Sequence, residues 1–129
     1  MSEPIWVPSR AVHIIHDRQI ARHGGSSGLR DDGLLQGALE RPINKYQYAG
    51  DDIFGCAAAY AFAIAKAHAF VDGNKRTAFV TSVTFLRLNG WHFMTVPAEG
   101  VDFMEDLASG AVSEDSFKNW LELGSTKIR

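Results

Sequence analysis

Cysteine, proline and net charge are all scarce in this chain of 129 residues, and each scarcity removes a class of answer. Cys56 is the only cysteine, so no intrachain disulfide can form and a cysteine-rich zinc site is excluded. That usage fits a reducing, cytoplasmic compartment. A formal net charge of -2 argues against a protein built to coat nucleic acid. The N-terminal "MSEPIWVPSR" holds an acidic residue and no apolar run, so no secretory leader is expected. The most apolar stretch, "IFGCAAAYAFAIAKAHAF", is alanine-rich and carries Lys66 and His68. It reads as a buried helix rather than a membrane span. No internal repeat is visible. The remaining 46% hydrophobic content, at this length, suffices for one domain over residues 1–129 with a real core.

The apolar periodicity predicts a mainly α protein with at most a small β element. Ser9 is the expected N-cap of a first helix that stops at Gly24-Gly25, with Val12, Ile15 and Ile20 on its apolar face. "GGSSGLRDD" reads as a flexible connector. It is not a phosphate loop, because no strand precedes it and no Gly-Lys-Ser/Thr follows. Asp31 or Asp32 caps a short helix through Leu34, Leu35 and Leu39 that Pro42 should stop, leaving "NKYQYAG" as a polar loop.

Two central helices are expected next. Asp51 to His68 places Ile53, Ala57, Tyr60, Ile64 and His68 near one face. Its many alanines leave little bulk elsewhere, so neighbours can approach from several sides. Asn74 to Asn89 contains β-branched residues but is too long for a typical strand, and Asn89-Gly90 is a good helix stop. "WHFMTV" is a candidate strand that could pair with "IWV" near the N-terminus. Pro97 to Ser109 and Ser113 to Leu123 complete the helices, with Gly110 between them.

The loop joining the central helices concentrates chemistry. Asp72 or Asn74 is the expected N-cap of the second central helix, and Gly73 permits a tight turn and close ligand approach. The first-turn N–H groups form an anion nest. Lys75 and Arg76 oppose the helix dipole unless an anion binds there, when N–H groups and both cations act together. Asp72 is a hard oxygen ligand suited to Mg²⁺ shared with phosphates. His68 can face the same site, and imidazole is the side chain best suited to take a proton near neutral pH. A base, a metal-binding carboxylate and an anion nest are the parts needed to deprotonate a hydroxyl and hold a polyphosphate.

His68-Ala69-Phe70-Val71-Asp72-Gly73-Asn74-Lys75-Arg76-Thr77-Ala78 resembles the signature of the Fic/Doc superfamily, and the Doc (death-on-curing) branch in particular. The resemblance extends through "IHDRQIARHGGSSGLRDDGLLQGALERP" and "FLRLNGW". It implies a compact helical bundle whose active-site loop joins two central helices. The broader Fic pattern, His-Pro-Phe-x-Asp/Glu-Gly-Asn-Gly-Arg-x-x-Arg, is matched at His68, Phe70, Asp72, Gly73, Asn74 and Arg76. Ala69, Lys75 and Phe79 depart from it. Fic enzymes with the full pattern generally transfer AMP to protein hydroxyls. The Lys75 and Phe79 departures are Doc-like, and Doc proteins are associated with transfer of the terminal phosphate of ATP to a threonine of elongation factor Tu, which halts translation.

The resemblance implies His68 as general base and Asp72 as the Mg²⁺ ligand. Asn74, Lys75 and Arg76 would position phosphates with the Gly73 backbone, and Phe70 would pack under the loop. It also implies a toxin neutralised by a small antitoxin whose C-terminal segment binds an apolar groove, with no direct nucleic-acid or membrane partner. An AMP transferase and a non-catalytic phosphate-binding module are the alternatives. Of the other candidates, His13 and His16 lack a third metal ligand and read as ordinary helix histidines. Asp102, Glu105 and Asp106 read as a solvated face. Thr95-Val-Pro-Ala-Glu99-Gly100 matches the inhibitory-helix pattern of many Fic proteins, but Pro97 should leave Thr95 outside any helix, so the match is taken as accidental.

Overall fold

The computed structural model describes residues 3–128. Among them six helices and one two-stranded sheet are formed: α1 (Ser9–His23), α2 (Asp32–Ala49), α3 (Ile53–Ala67), α4 (Asn74–Leu88), β1 (Trp91–Phe93), α5 (Pro97–Ser109), α6 (Glu114–Leu123) and β2 (Ser125–Lys127). The mainly α class and the two central helices are as the sequence predicts.

The alanines explain why α3 lies at the centre. Its residues Phe54 to Ala61 and Ala63 to Ala65 are all buried, and it packs against α2, α4, α5 and α6. α4 meets it with small polar residues: Thr77, Thr81 and Ser82 are buried, and the Ser82 hydroxyl donates to the Ala57 carbonyl at 2.8 Å. A serine against an alanine backbone lets the helices approach closely while pairing the buried hydroxyl. Tyr60 is buried on α3 and packs against Phe85 of α4, ring centroids 5.1 Å apart. Its phenol oxygen accepts from the Val7 N–H at 3.0 Å, and burial pushes its pKa up to about 12.

Two expectations are corrected. Pro42 does not stop the second helix, which continues to Ala49, so most of "NKYQYAG" is helical. An interior proline costs a helix roughly 3 kcal/mol, but the turn beyond it is anchored from outside. Tyr46 packs edge-on to Trp6 and Lys45 pairs with Asp51, while Arg41, just before the proline, pairs with Glu114 of α6. "IWV" is also not the partner of β1, which pairs antiparallel with β2, Trp91 opposite Lys127. The N-terminal segment instead runs beside the end of α4. Trp6 stacks on Phe85, and the Asn89 side chain accepts from Ile5 N at 2.8 Å while donating to the carbonyls of Ile5 and Phe85.

Capping was partly legible. Asp31 accepts from Leu34 N, Asp52 from Gly55 N and Ser113 from Ser116 N. Ser9 is the first helical residue rather than the cap, and its hydroxyl accepts from Gln36 of α2.

Asn89 joins three hydrogen bonds at the end of α4. Asn89→Ala should destabilise the protein by about 1–3 kcal/mol and loosen the N-terminal segment. Urea denaturation with amide exchange at residues 5–7 checks this; unchanged exchange there would show that Trp6 and the Val7–Tyr60 bond hold the segment without Asn89.

Candidate active site

α3 ends at Ala67, one residue short of His68, which adopts a left-handed conformation with φ 50 and ψ 42. Among the described residues it is the only non-glycine with positive φ. That conformation costs an ordinary residue about 1–2 kcal/mol. It also carries His68 out of the buried face on which the periodicity would place it, leaving the side chain exposed. Phe70 then turns inward, 2% exposed, and stacks on His16 at 3.9 Å with the rings 10° apart. His16 is buried, and its Nε2 lies 2.7 Å from the Asp72 carbonyl. It is therefore the ordinary structural histidine expected, with a specific task under the loop.

Gly73, also left-handed at φ 75, precedes α4, and no side chain caps that helix. This corrects the expected cap. The Asp72 carboxylate accepts from Gly73 N at 2.8 Å through Oδ1 and from Ser26 N at 3.3 Å through Oδ2. The Asn74 side chain turns back to bridge the N–H and carbonyl of Phe70 at 3.1 and 3.0 Å. Asn74 thus braces the loop, and its contribution to an anion is left to its backbone. An uncapped first turn leaves N–H groups aimed at the site, which is how helices receive phosphates.

Hydrogen bonds from Gly73 first, then Ser26, hold the Asp72 carboxyl below the usual carboxylate range, with Arg76 and His16 adding smaller attraction. Folding therefore favours the ionised form. That contribution is present at neutral pH and is lost only as pH falls through the lowered folded value.

His68, Asp72, Gly73, Asn74, Lys75 and Arg76 all line one cavity of about 600 Å³, closed on its far side by Ala65 of α3 and Glu105, Ala108 and Ser109 of α5. The six candidate site residues of the loop and helix start thus meet in one place. Lys75 and Arg76 are held differently. Lys75 Nζ lies 2.9 Å from both oxygens of Glu105, with both side chains well exposed. Arg76 is half-buried and donates to the Gly24 carbonyl at 3.0 Å, so it also ties the end of α1 to α4.

Two neighbours of the candidate site were missed. Glu105, read as part of a solvated face, is the partner of Lys75. The segment "GGSSGLRDD", read as a flexible connector, is a strap along the loop between α3 and α4. Val71 N donates to Gly28 O, Leu29 bridges Phe70, and the N–H groups of Arg30 and Asp31 both donate to Ala69 O at 2.7 and 3.0 Å. The Arg30 guanidinium donates to His68 O from Nε at 2.9 Å and from Nη2 at 2.6 Å. Gly25 is required where the strap meets the site, because a Cβ there would stand 2.6 Å from Asp72 Oδ2. No local pattern announces these bonds; their partners lie some forty residues away.

With this geometry in view, the family assignment follows from comparison with known proteins. Residues 6–86 match the Fic/DOC family. The chain belongs to the Fic/DOC family. It is 35% identical over 108 residues to the protein kinase doc of Escherichia phage P1, a match covering 83% of this chain and 85% of that one. It is 38% identical over 99 residues to the toxin Doc of Mycolicibacterium smegmatis, covering 71% of each. The Doc-branch resemblance carried by His68 to Ala78 is supported by both relatives.

A second cavity, about 580 Å³, lies on the other side of the Lys75–Glu105 pair, between the end of α1, α4 and α5. Its lining is mixed: Phe79, Val80, Val101 and Met104 give it apolar surface, and Arg22, His23, Lys75 and Arg76 line it beside Glu105. Thr95 lies outside α5, as Pro97 requires, and Glu99 accepts from Trp120 Nε1 at 2.6 Å.

The two cations should separate in stability tests. Lys75→Ala removes one exposed ion pair and should change the unfolding free energy by no more than about 1 kcal/mol. Arg76→Ala removes a bond between α4 and α1 and should cost roughly 1–3 kcal/mol. Equal effects in thermal unfolding of the ligand-free protein would contradict the distinct roles of the two side chains.

Proposed function

We propose that this chain is a Doc-type toxin, a transferase that moves the terminal phosphate of ATP to a hydroxyl of a translation factor, elongation factor Tu being the expected target. The observation that carries the reading is the uncapped α4 N-terminus opening into the same cavity as His68, Asp72, Lys75 and Arg76. The names of the two relatives, a kinase and a toxin, support it.

Phosphoryl transfer asks a protein mainly for positioning and charge stabilisation. The N–H groups of the first turn of α4 and the guanidinium of Arg76 receive phosphate oxygens. Lys75, exchanging Glu105 for phosphate, adds its charge where negative charge develops. His68 takes the proton from the attacking hydroxyl; the new P–O bond forms as the bond to the departing ADP breaks. Asp72 suits Mg²⁺: it is ionised and exposed, and each carboxylate oxygen retains a lone pair beyond the bond it accepts. Bound Mg²⁺ would neutralise charge on the phosphate oxygens. Among the described residues no group of three or more metal-binding side chains exists, so Asp72 would hold the ion with oxygens that the nucleotide supplies.

Terminal-phosphate transfer is favoured over AMP transfer by the surroundings of Phe79. It packs near Phe93 and Trp120, so no cation stands where the broader pattern has its closing arginine. The second cavity, apolar in part, suits a C-terminal antitoxin segment, with acidic residues facing Arg22 and Arg76.

ATP labelled separately on its α- and γ-phosphates, incubated with translation factors, tests the activity. Label should pass from γ; label from α would mean AMP transfer, and label from neither a binding module. His68→Ala should retain its fold and lose about 10²–10⁴-fold in rate. A loss of only a few-fold would remove His68 as general base.

Isothermal titration checks the metal. Mg²⁺ should bind weakly to the protein alone and appreciably when a non-hydrolysable ATP analogue is present. Asp72→Asn should raise the Mg²⁺ concentration needed for transfer. Unchanged Mg²⁺ dependence would remove Asp72 from the metal site.

A further inference from the structure

We propose that Arg30 is a positioning residue for the reaction, acting through the backbone of His68 rather than on substrate. The inference rests on the role of His68 given above, but its geometric half stands separately.

His68 occupies a conformation that side-chain-bearing residues avoid, and it does so at the end of a helix. Such a turn normally falls to glycine, as at Gly50 and Gly110, whose own N–H groups return to the helix they close. The turn at His68 is held from the strap instead. Two nitrogens of one guanidinium converge on the His68 carbonyl, and the backbone N–H groups of Arg30 and Asp31 take the next carbonyl, that of Ala69. Two consecutive carbonyls that would otherwise continue or fray α3 are thereby fixed by two consecutive residues of another segment. Arg30 does not line the catalytic cavity, so it is not placed to touch a phosphate.

The consequence for catalysis is directional. If His68 relaxed into the right-handed region, α3 would gain a residue and the side chain would follow the helical rotation of about 100° per residue. The imidazole would then leave the position it shares with Asp72 and the α4 N-terminus. A planar, forked donor suits the task because two bonds to one oxygen fix direction as well as distance; a lysine ammonium offers one charge without the fork.

The test compares Arg30→Ala, Arg30→Gln and Arg30→Lys with the full-length wild type. In Arg30→Ala, kcat for phosphate transfer should fall by about 10²-fold, with KM for ATP within about two-fold of wild type. Arg30→Lys should recover part of kcat. In a His68→Ala background the Arg30→Ala change should cause no further loss, because its route runs through the imidazole. The ¹³Cα and ¹³Cβ shifts of His68 should move from left-handed to helical values in Arg30→Ala. Shifts that stay left-handed overturn the proposal, as does an equal loss of rate in the His68→Ala background, or a raised KM with unchanged kcat. Three variants that all fail to fold also overturn it, since Arg30 would then be a stability element. A wild-type protein that transfers no phosphate sinks the proposed function, and the His68 shifts alone then decide whether Arg30 holds the turn.

Discussion

The contact on which this structure depends is the close approach of α3 and α4. Alanines along α3 allow it, and Ser82 seals it by donating to the Ala57 carbonyl. Because the helices lie against each other, the segment between Ala67 and Asn74 must reverse the chain in little space. It does so with left-handed residues at both ends, His68 and Gly73. Glycine is cheap in that role and histidine is not. The histidine is accommodated because Phe70 is buried on His16, Asn74 bridges the Phe70 backbone and the strap occupies the open carbonyls. A site held this way is set before any ligand arrives, so binding need not supply the ordering.

Electrostatics sets a second constraint. Two cations on the first turn of a helix are unfavourable in the ligand-free protein. The structure answers differently for each. Lys75 is matched by Glu105 across the mouth of the cavity, an exposed pair that screening keeps weak and that a polyphosphate can displace. Arg76 is satisfied in part by a backbone carbonyl of the α1 terminus, a neutral acceptor that leaves the positive charge available. Asp72 bears the compensating negative charge, and the N–H groups of Gly73 and Ser26 keep it ionised.

What could be read from the sequence follows from how local each cause is. α3 and α4 were legible because their signals lie within the segment: acidic residues before Ile53, alanines at successive positions, Asn89-Gly90 at the end. That the candidate residues would share one place was legible because loop and helix start are contiguous. Pro42 misled because its penalty is local whereas the compensation comes from outside the helix, from Asp51 just past its end and from Trp6 and Glu114 far along the chain. The partner of β1 was missed because a three-residue strand carries almost no periodicity, and "STK" at 125–127 even less. The strap was read as a connector for the same reason. Glycines and serines describe a segment without regular structure, and nothing in them says that its N–H groups face Ala69 and Asp72.

Phe79 links packing to chemistry. The broader Fic pattern has arginine there, and a guanidinium would need solvent or an anion. As phenylalanine the position joins an aromatic group in which Phe93 meets Trp120 at 4.9 Å and Phe103 stacks on Trp120 at 4.2 Å. Aromatic contacts of this kind hold α5 and α6 against α4. α5 in turn presents Glu105 to Lys75 and, one turn on, Ser109 to the cavity. Packing at Phe79 thus helps anchor the helix that forms the opposite wall of the cavity holding His68 and Asp72, so the shape of that cavity depends on a residue outside it.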